Sequence, residues 1–358
     1  MNPEHLLLRA ATPQDLDDIE RFAAASATGI TTLPADRALL LEKLQRSAQA
    51  FSSADDSSGE ETYLFVLEDT AQGRVVGTSG IATSAGFADR FYTYRNEMVV
   101  HASPALGASN RIHTLHLCHD LTGYTLLTSF YIEPAYEDTL APQLLSRARL
   151  LFIAEFAERF SDRIAAESPG LADDSGRCPF WDAVGRRFFD MDYPQIEQLT
   201  GGRSKAFIAE LMPHSPIYVP LLPEEAQWAI GQLHPVAELP FSILLDEGFD
   251  TETYVDIFDG GPIVDARVAM LASVRRSRRR VVQAPSQAQP QAQAQAAPDA
   301  GGAPWHLLAG TRRGDFRAVL RRAPAEGNSL PLAAADQALL RTEPGQPLRA
   351  AALPEAAA

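Results

Sequence analysis

Between Ala284 and Pro304 the chain runs through Gln, Ala and Pro with little else. Such a stretch has almost no large apolar side chains to bury, so it cannot offset the entropy of being ordered and reads as a flexible linker. Whatever folds must therefore be built from the residues on either side. The expectation is a main body over 1–280, which could divide into halves near 1–200 and 201–280, then a linker over 281–304, then a small β-rich region over 305–358. Short strand-like pieces such as Phe316-Arg317-Ala318-Val319-Leu320 support the last of these. Ala350 to Ala358 reads as frayed.

Within the main body, Leu6-Leu7-Leu8-Arg9-Ala10 predicts a strand. Thr12 and Pro13 then open a helix from Asp15 to Ala25, with Leu16, Ile19, Phe22 and Ala23 at helical spacing. A second helix is predicted from Asp36 to Phe51. Tyr63 to Glu68 and Val75 to Ile81 flank a polar, glycine-containing turn, which predicts a hairpin. Further strands are expected at Glu97 to Val100 and Leu126 to Ile132, and a helix from Leu144 to Phe160. That order implies an α/β (α+β) fold, a mixed sheet with helices on its faces. Phe180 to Phe189 and Phe241 to Phe249 are weakly alike. Each reads as an amphipathic helix followed by a strand, which would suit an extended or duplicated version of such a fold.

Hydrophobic residues make up 46% of the 358, enough for a substantial core, while the net charge of −15 argues against a nucleic-acid or anionic-membrane surface. It is compatible with a cationic substrate. Lysine occurs only at Lys43 and Lys205. The basic run Arg275 to Arg280 reads as a solvated helix end. Cys118 and Cys178 form no disulfide framework and no CxxC motif. No basic leader with a long apolar run opens the sequence, and no stretch is apolar for the length of a membrane span, so a cytoplasmic location is expected.

Two clusters invite chemistry. His113-Thr114-Leu115-His116-Leu117-Cys118-His119-Asp120 suggests a metal, but on a strand its ligands divide between two faces, and zinc sites draw tetrahedral ligands from more than one element. No metal is expected. His234, in Gly231-Gln232-Leu233-His234-Pro235, lies where an apolar helix meets a proline. It reads either as an acid/base group or as a structural hydrogen-bonder.

Several strings in order, Gly29-Ile30-Thr31-Thr32-Leu33-Pro34, Tyr63 to Asp69, Val100-His101-Ala102-Ser103, Asp120-Leu121-Thr122-Gly123, Pro179-Phe180-Trp181, Ala206 to Pro213, Gly231 to Pro235 and Asp256 to Pro262, resemble the arginine N-succinyltransferase family. Arg95-Asn96-Glu97, His119 to Gly123 and Pro213 to Pro223 resemble its alpha-subunit branch. The resemblance implies a GNAT-type acyl-CoA N-acyltransferase fold. It also implies succinyl transfer from succinyl-CoA to the α-amine of L-arginine, or of ornithine, in arginine catabolism. No resident cofactor is implied, and the implied assembly is a hetero-oligomer with a beta subunit or a homo-oligomer. By motif position His234 matches the family's proton donor. Phe130 matches its succinyl-CoA contact, where the family more usually has Leu.

Such chemistry needs a splayed strand to hold the thioester, for which Thr122 to Pro134 is suited. It also wants carboxylates for the guanidinium, with Glu97, Asp256 and Asp259 as candidates, and an arginine for the succinyl carboxylate, with Arg95 as candidate. The stretch 136–145, where a glycine-rich loop would bind CoA phosphates on a helix N-terminus, has no glycine. It contains Pro142 and the acids Glu137 and Asp138. A weakly catalytic subunit that completes a composite site, an acyltransferase for another amine, and an arginine-sensing module are the alternatives.

Overall fold

The computed structural model describes residues 2–26, 32–53, 58–87, 89–173, 175–200, 210–284, 303–324 and 327–354. Gly29 to Thr31, Ala206 to Ala209, most of the linker and Glu355 to Ala358 lie outside the described residues.

Its centre is a strand with an unbroken run of five buried, mainly apolar residues. Tyr63-Leu64-Phe65-Val66-Leu67 is buried throughout, within β2 (Thr62–Asp69). Unbroken apolar runs of this kind must be covered on both faces. Leu64 and Val66 pack with Ile19 and Phe22 of α1 (Leu16–Ala25) and Leu40 and Leu44 of α2 (Arg37–Ser52). Asp36 caps α2 by accepting from the N–H groups of Ala38 and Leu39. Tyr63 and Phe65 face the other way, onto α3 (Ala141–Glu155). Phe152 of α3 is the hub there, with ring centroids 4.9 Å from Tyr63, 5.3 Å from Phe65, 5.7 Å from Phe51 and 4.9 Å from Phe316.

Around β2 the strands form one fifteen-stranded sheet. The flank beyond it is β3 (Arg74–Ala82), β6 (Thr125–Ile132), β7 (Arg163–Glu167), β10 (Pro262–Arg267), β9 (Asp250–Val255), β4 (Thr93–Ser103), β5 (Ala108–Cys118) and β8 (Ile217–Tyr218). The other flank is β1 (Leu6–Ala10), β13 (Arg317–Arg322), β12 (Trp305–Gly310), β15 (Pro347–Ala352), β11 (Arg278–Gln283) and β14 (Ser329–Pro331). Residues beyond the linker thus join the sheet through β1, with Leu7 opposite Val319 and Leu8 opposite Ala318. Every pairing is antiparallel except β6–β7 and β11–β14.

Several local expectations are corrected. The helix α3 begins earlier and ends earlier than Leu144 to Phe160. Thr139 Oγ1 accepts from Ala141 N–H at 3.1 Å and Pro142 sits in the first turn, a position that tolerates a missing N–H. Only the second of the two similar segments is a helix followed by a strand. Phe180 to Phe189 is instead two short helices, Pro179–Ala183 and Arg186–Phe189, followed by a third, Tyr193–Thr200. Gly185 allows that break, since a Cβ there would lie 2.1 Å from the Trp181 ring. The basic run is not all helix end: Ala272–Arg276 is helical, and Arg278 starts β11. Within it Arg280 is buried and donates to the carbonyls of Pro324 and Ser329 at 2.8 Å. Ala350 to Ala352 are not frayed, being paired in β15.

Because six aromatic rings converge on Phe152, Phe152→Ala should cost about 3–5 kcal/mol. A urea titration should show the midpoint falling sharply, and an unchanged midpoint would show that the hub is not a core anchor.

Candidate active site

The sheet comes apart between β6 and β7. Their parallel pairing covers Thr125 to Leu127 against Ile164 to Ala166 and goes no further. On the β3 side the register slips, with Thr78 opposite Tyr131 but Gly80 opposite Thr128. Ser129 and Phe130 together face Ser79, so β6 carries a bulge. Ser129 takes φ +56, a left-handed conformation that costs a side-chain-bearing residue free energy and must be held by its surroundings. Its N–H donates to Thr32 Oγ1 at 3.0 Å. Lys43 Nζ donates to Ser129 Oγ at 2.7 Å and to the Thr32 carbonyl at 2.5 Å. Burial, with a smaller push from Arg46, brings the Lys43 amine down to about 8.

Past the end of β7, three segments interlock. Gly170 and Gly261 touch so closely that a Cβ on Gly261 would lie 2.4 Å from the Ser168 carbonyl oxygen and 2.5 Å from Gly170 N, and one on Gly170 would lie 2.7 Å from the Asp259 carbonyl oxygen. The Asp259 carboxylate accepts from Gly170 N–H at 2.8 Å, Gly261 N–H at 2.7 Å and the Tyr193 hydroxyl at 3.3 Å. Asp256 Oδ1 accepts from Phe258 N–H at 2.7 Å. Gly231 N–H donates to the Gly260 carbonyl at 2.8 Å, and His234 N–H to the Pro169 carbonyl at 2.9 Å. His234 thus stands at the end of the splayed pair. It precedes a 3-10 turn, Pro235–Ala237, that leads into the helix Glu238–Glu247. Its half-buried ring accepts from Val236 N–H through Nδ1 at 3.4 Å, which leaves Nε2 as the nitrogen available to a ligand.

A cavity of about 360 Å³ fills the gap between β6 and β7. That is within the range of small-molecule sites. Residues from both faces of the sheet line it: Arg149 of α3 with Phe241 and Leu244 of the helix Glu238–Glu247 on one side, Ser26 and Thr32 on the other, and Glu197 of the helix Tyr193–Thr200 lines it too. Phe130, Asp256 and Asp259 line it, as do Pro169 and Pro235, which are bonded or adjacent to His234. Arg95 and Glu97 lie elsewhere, on β4, and pair with each other at 2.5 Å; Arg95 also reaches Asp120 at 2.5 Å. Four of the six residues singled out from the sequence therefore gather at one cavity or its edge. Lys43, Ser129 and Arg149 were not foreseen. The rarity of lysine was the signal for the first, and an arginine inside the apolar stretch of α3 for the last.

The N-terminus of α3 is poor in free donors. Thr139 takes the N–H of Ala141, Pro142 has none, and Glu137 lines the cavity.

A parallel, diverging strand pair in an otherwise antiparallel region, with a helix packed beside the gap, is the acyl-CoA N-acyltransferase architecture expected from the sequence. The comparisons agree. The family model AstA, described as the arginine N-succinyltransferase beta subunit, matches residues 6–273. Arginine N-succinyltransferase subunit alpha of Pseudomonas aeruginosa is 46% identical over 318 residues, 88% of this chain and 90% of that protein. The beta subunit from the same organism is 42% identical over 277 residues, 77% and 81% of the two chains. The solved structure of arginine/ornithine succinyltransferase subunit AI from Pseudomonas aeruginosa superposes with a TM-score of 0.85 at 42% identity, covering 98% of this chain and 99% of that one. The chain belongs to the arginine N-succinyltransferase family and is an acyltransferase. Among the described residues no helix is long and apolar enough to cross a membrane.

The glycine contact makes a sharp prediction. Gly261→Ala should lose about 1–3 kcal/mol of stability through overpacking and should lower acyl transfer further by moving the His234 turn. Melting temperature and turnover measured together check this; a variant with wild-type values for both would show that the contact positions nothing.

Proposed function

We propose that this chain transfers the succinyl group of succinyl-CoA to the α-amine of L-arginine, and that His234 is its proton donor. The observation that carries the reading is the cavity between β6 and β7, with Phe130 in its wall and His234 held at its edge by Pro169. The co-substrate is an acyl-CoA; the succinyl group and the choice of arginine rest on the family. Ornithine is a second acceptor in this reading. Free Cys118 and Cys178 accord with work in the reducing cytoplasm.

In this mechanism the neutral α-amine attacks the thioester carbon. A C–N bond forms, the carbonyl becomes an oxyanion, and backbone N–H at the Phe130 bulge is the donor that stabilises it. Ser129 and Phe130 have no register partner in either neighbouring strand, and the Ser129 N–H is taken by Thr32, which makes the Phe130 N–H the candidate donor. The tetrahedral intermediate collapses with loss of the C–S bond. The nitrogen sheds one proton to become an amide, and His234 supplies one to the CoA thiolate. The guanidinium is met by carboxylates of the cavity lining, with Asp256 and Asp259, which shape the loop, and Glu197 as the candidates.

The donor-poor start of α3 supports a second element of the proposal, a hetero-oligomer in which a beta subunit strengthens CoA binding. Succinyl-CoA should bind the isolated chain weakly and the assembled pair about tenfold or more tightly, a difference on the order of 1.4 kcal/mol. Equal affinities by calorimetry would remove the need for a composite site.

For the assembled enzyme, His234→Ala should lower kcat by about 10²–10⁴, read by thiol release with succinyl-CoA and arginine. Unchanged turnover would sink the proton-donor assignment, and arginine failing as acceptor in a panel of amines would sink the substrate assignment.

A further inference from the structure

The helix α3 buries two arginines, and they are treated differently. Arg147 is fully buried and is paired with Glu247 and Asp246. Arg149 is 2% exposed, lines the cavity, and has no acidic partner among the described residues. Its Nε donates to the Ser146 carbonyl at 3.1 Å, its Nη2 to Ser146 Oγ at 3.1 Å, and its Nη1 to the Gly80 carbonyl at 3.5 Å, the limit of a hydrogen bond. All three acceptors are neutral. A guanidinium carries five N–H donors in a planar fork, so at least two remain for something else.

Burying a cation without a counter-ion costs several kcal/mol. Burial pushes this guanidinium down to about 9, so it is still charged at neutral pH. An apolar side chain would fill this wall, beside Phe241 and Leu244, without that penalty. Retaining the charge makes sense if an anion arrives to meet it. The fork's geometry favours a carboxylate taken through two parallel N–H bonds.

Its place in the cavity says which carboxylate. Arg149 shares its wall with Phe241 and Leu244 of the helix Glu238–Glu247. Carboxylates also line the cavity, at Glu137, Glu167, Glu197, Asp256 and Asp259, and among the described residues none of them is paired with Arg149. The Arg149 Cζ is 5.6 Å from the centre of the Phe130 ring, at the bulge. A dicarboxylic acyl chain places its carboxylate a few bonds beyond the thioester carbon, a comparable reach.

We propose that Arg149 binds the distal carboxylate of the acyl group and so makes the enzyme select a dicarboxylic acyl thioester over a neutral acyl chain of the same length. The inference deepens the acyl-transfer reading of this cavity and rests on it.

The test compares succinyl-CoA with butyryl-CoA, matched in carbon count but uncharged, on the assembled enzyme with arginine as acceptor. In Arg149→Met the ratio of kcat/KM for the two donors should fall about 100-fold, carried mainly by KM for succinyl-CoA, with Arg149→Lys intermediate. An equal loss with both donors would overturn the proposal, because it would mark Arg149 as a general packing residue or a contact to the CoA moiety. If Arg149→Met does not fold, the wild type bound to carboxypropyl-CoA, an unreactive thioether, decides. A crystal structure with the carboxylate on Arg149 supports the proposal, and a carboxylate seated elsewhere overturns it. Because the thioether needs no acceptor, its comparison with butyl-CoA by calorimetry also separates the two readings: a charge preference without transfer to arginine would fail the arginine assignment alone.

Discussion

Everything at the candidate site depends on how closely two backbones approach at Gly170 and Gly261. Neither position has room for a side chain, because the opposing carbonyl and amide atoms occupy the space a Cβ would need. That approach lets the Asp259 carboxylate bridge the amides of both glycines, with the Tyr193 hydroxyl on the same group. Burial and the adjacent Asp259 charge raise the Tyr193 phenol well above its ordinary range, so it stays a neutral donor to that carboxylate. From the same loop, Gly260 receives Gly231, and the chain then reaches His234 three residues on. The histidine is placed by backbone bonds, so its own side chain is left available for chemistry.

The splayed strands, by contrast, are held open by side chains. A bulge at Ser129 costs free energy, and the bonds from Thr32 and Lys43 keep it populated. These two devices, backbone contact on one side of the gap and side-chain bracing on the other, leave a cavity between β6 and β7. Its lining carries the Arg149 guanidinium, which has no acidic partner among the described residues, together with carboxylates at Glu137, Glu167, Glu197, Asp256 and Asp259.

How much of this could be read from the residues varies with locality. The helices α1 and α2 and the β2–β3 hairpin were legible because their signals are local: helical spacing of Leu16, Ile19 and Phe22, the Asp36 cap, and apolar runs around a glycine turn. The length of β4 and β5 was not. Much of that hairpin is solvent-exposed, and residues such as His101, Asn110 and Arg111 show no clean alternation of apolar and polar. At the site, His234 and Phe130 came from resemblance to a family, since neither has a distinctive local pattern. The Asp256 to Pro262 string likewise entered through that resemblance. Arg149 had one local signal, an arginine inside an apolar helical stretch, which is weak in a chain where arginine is abundant and lysine occurs only at Lys43 and Lys205. Its lack of an acidic partner among the described residues is a fact of three dimensions.

The pairing of β1 with β13 has a consequence for biogenesis. Strand β1 is synthesised about three hundred residues before β13, yet among the described residues one of its edges is satisfied by residues 317–319, across the linker. Until those are synthesised, Leu7 and Leu8 present unpaired backbone beside apolar side chains that end up buried. Closing that edge requires a contact spanning some three hundred residues, the kind of long-range ordering that slows folding. The β1 edge therefore stays open while the intervening residues are made, and shielding by a chaperone would matter most in that interval.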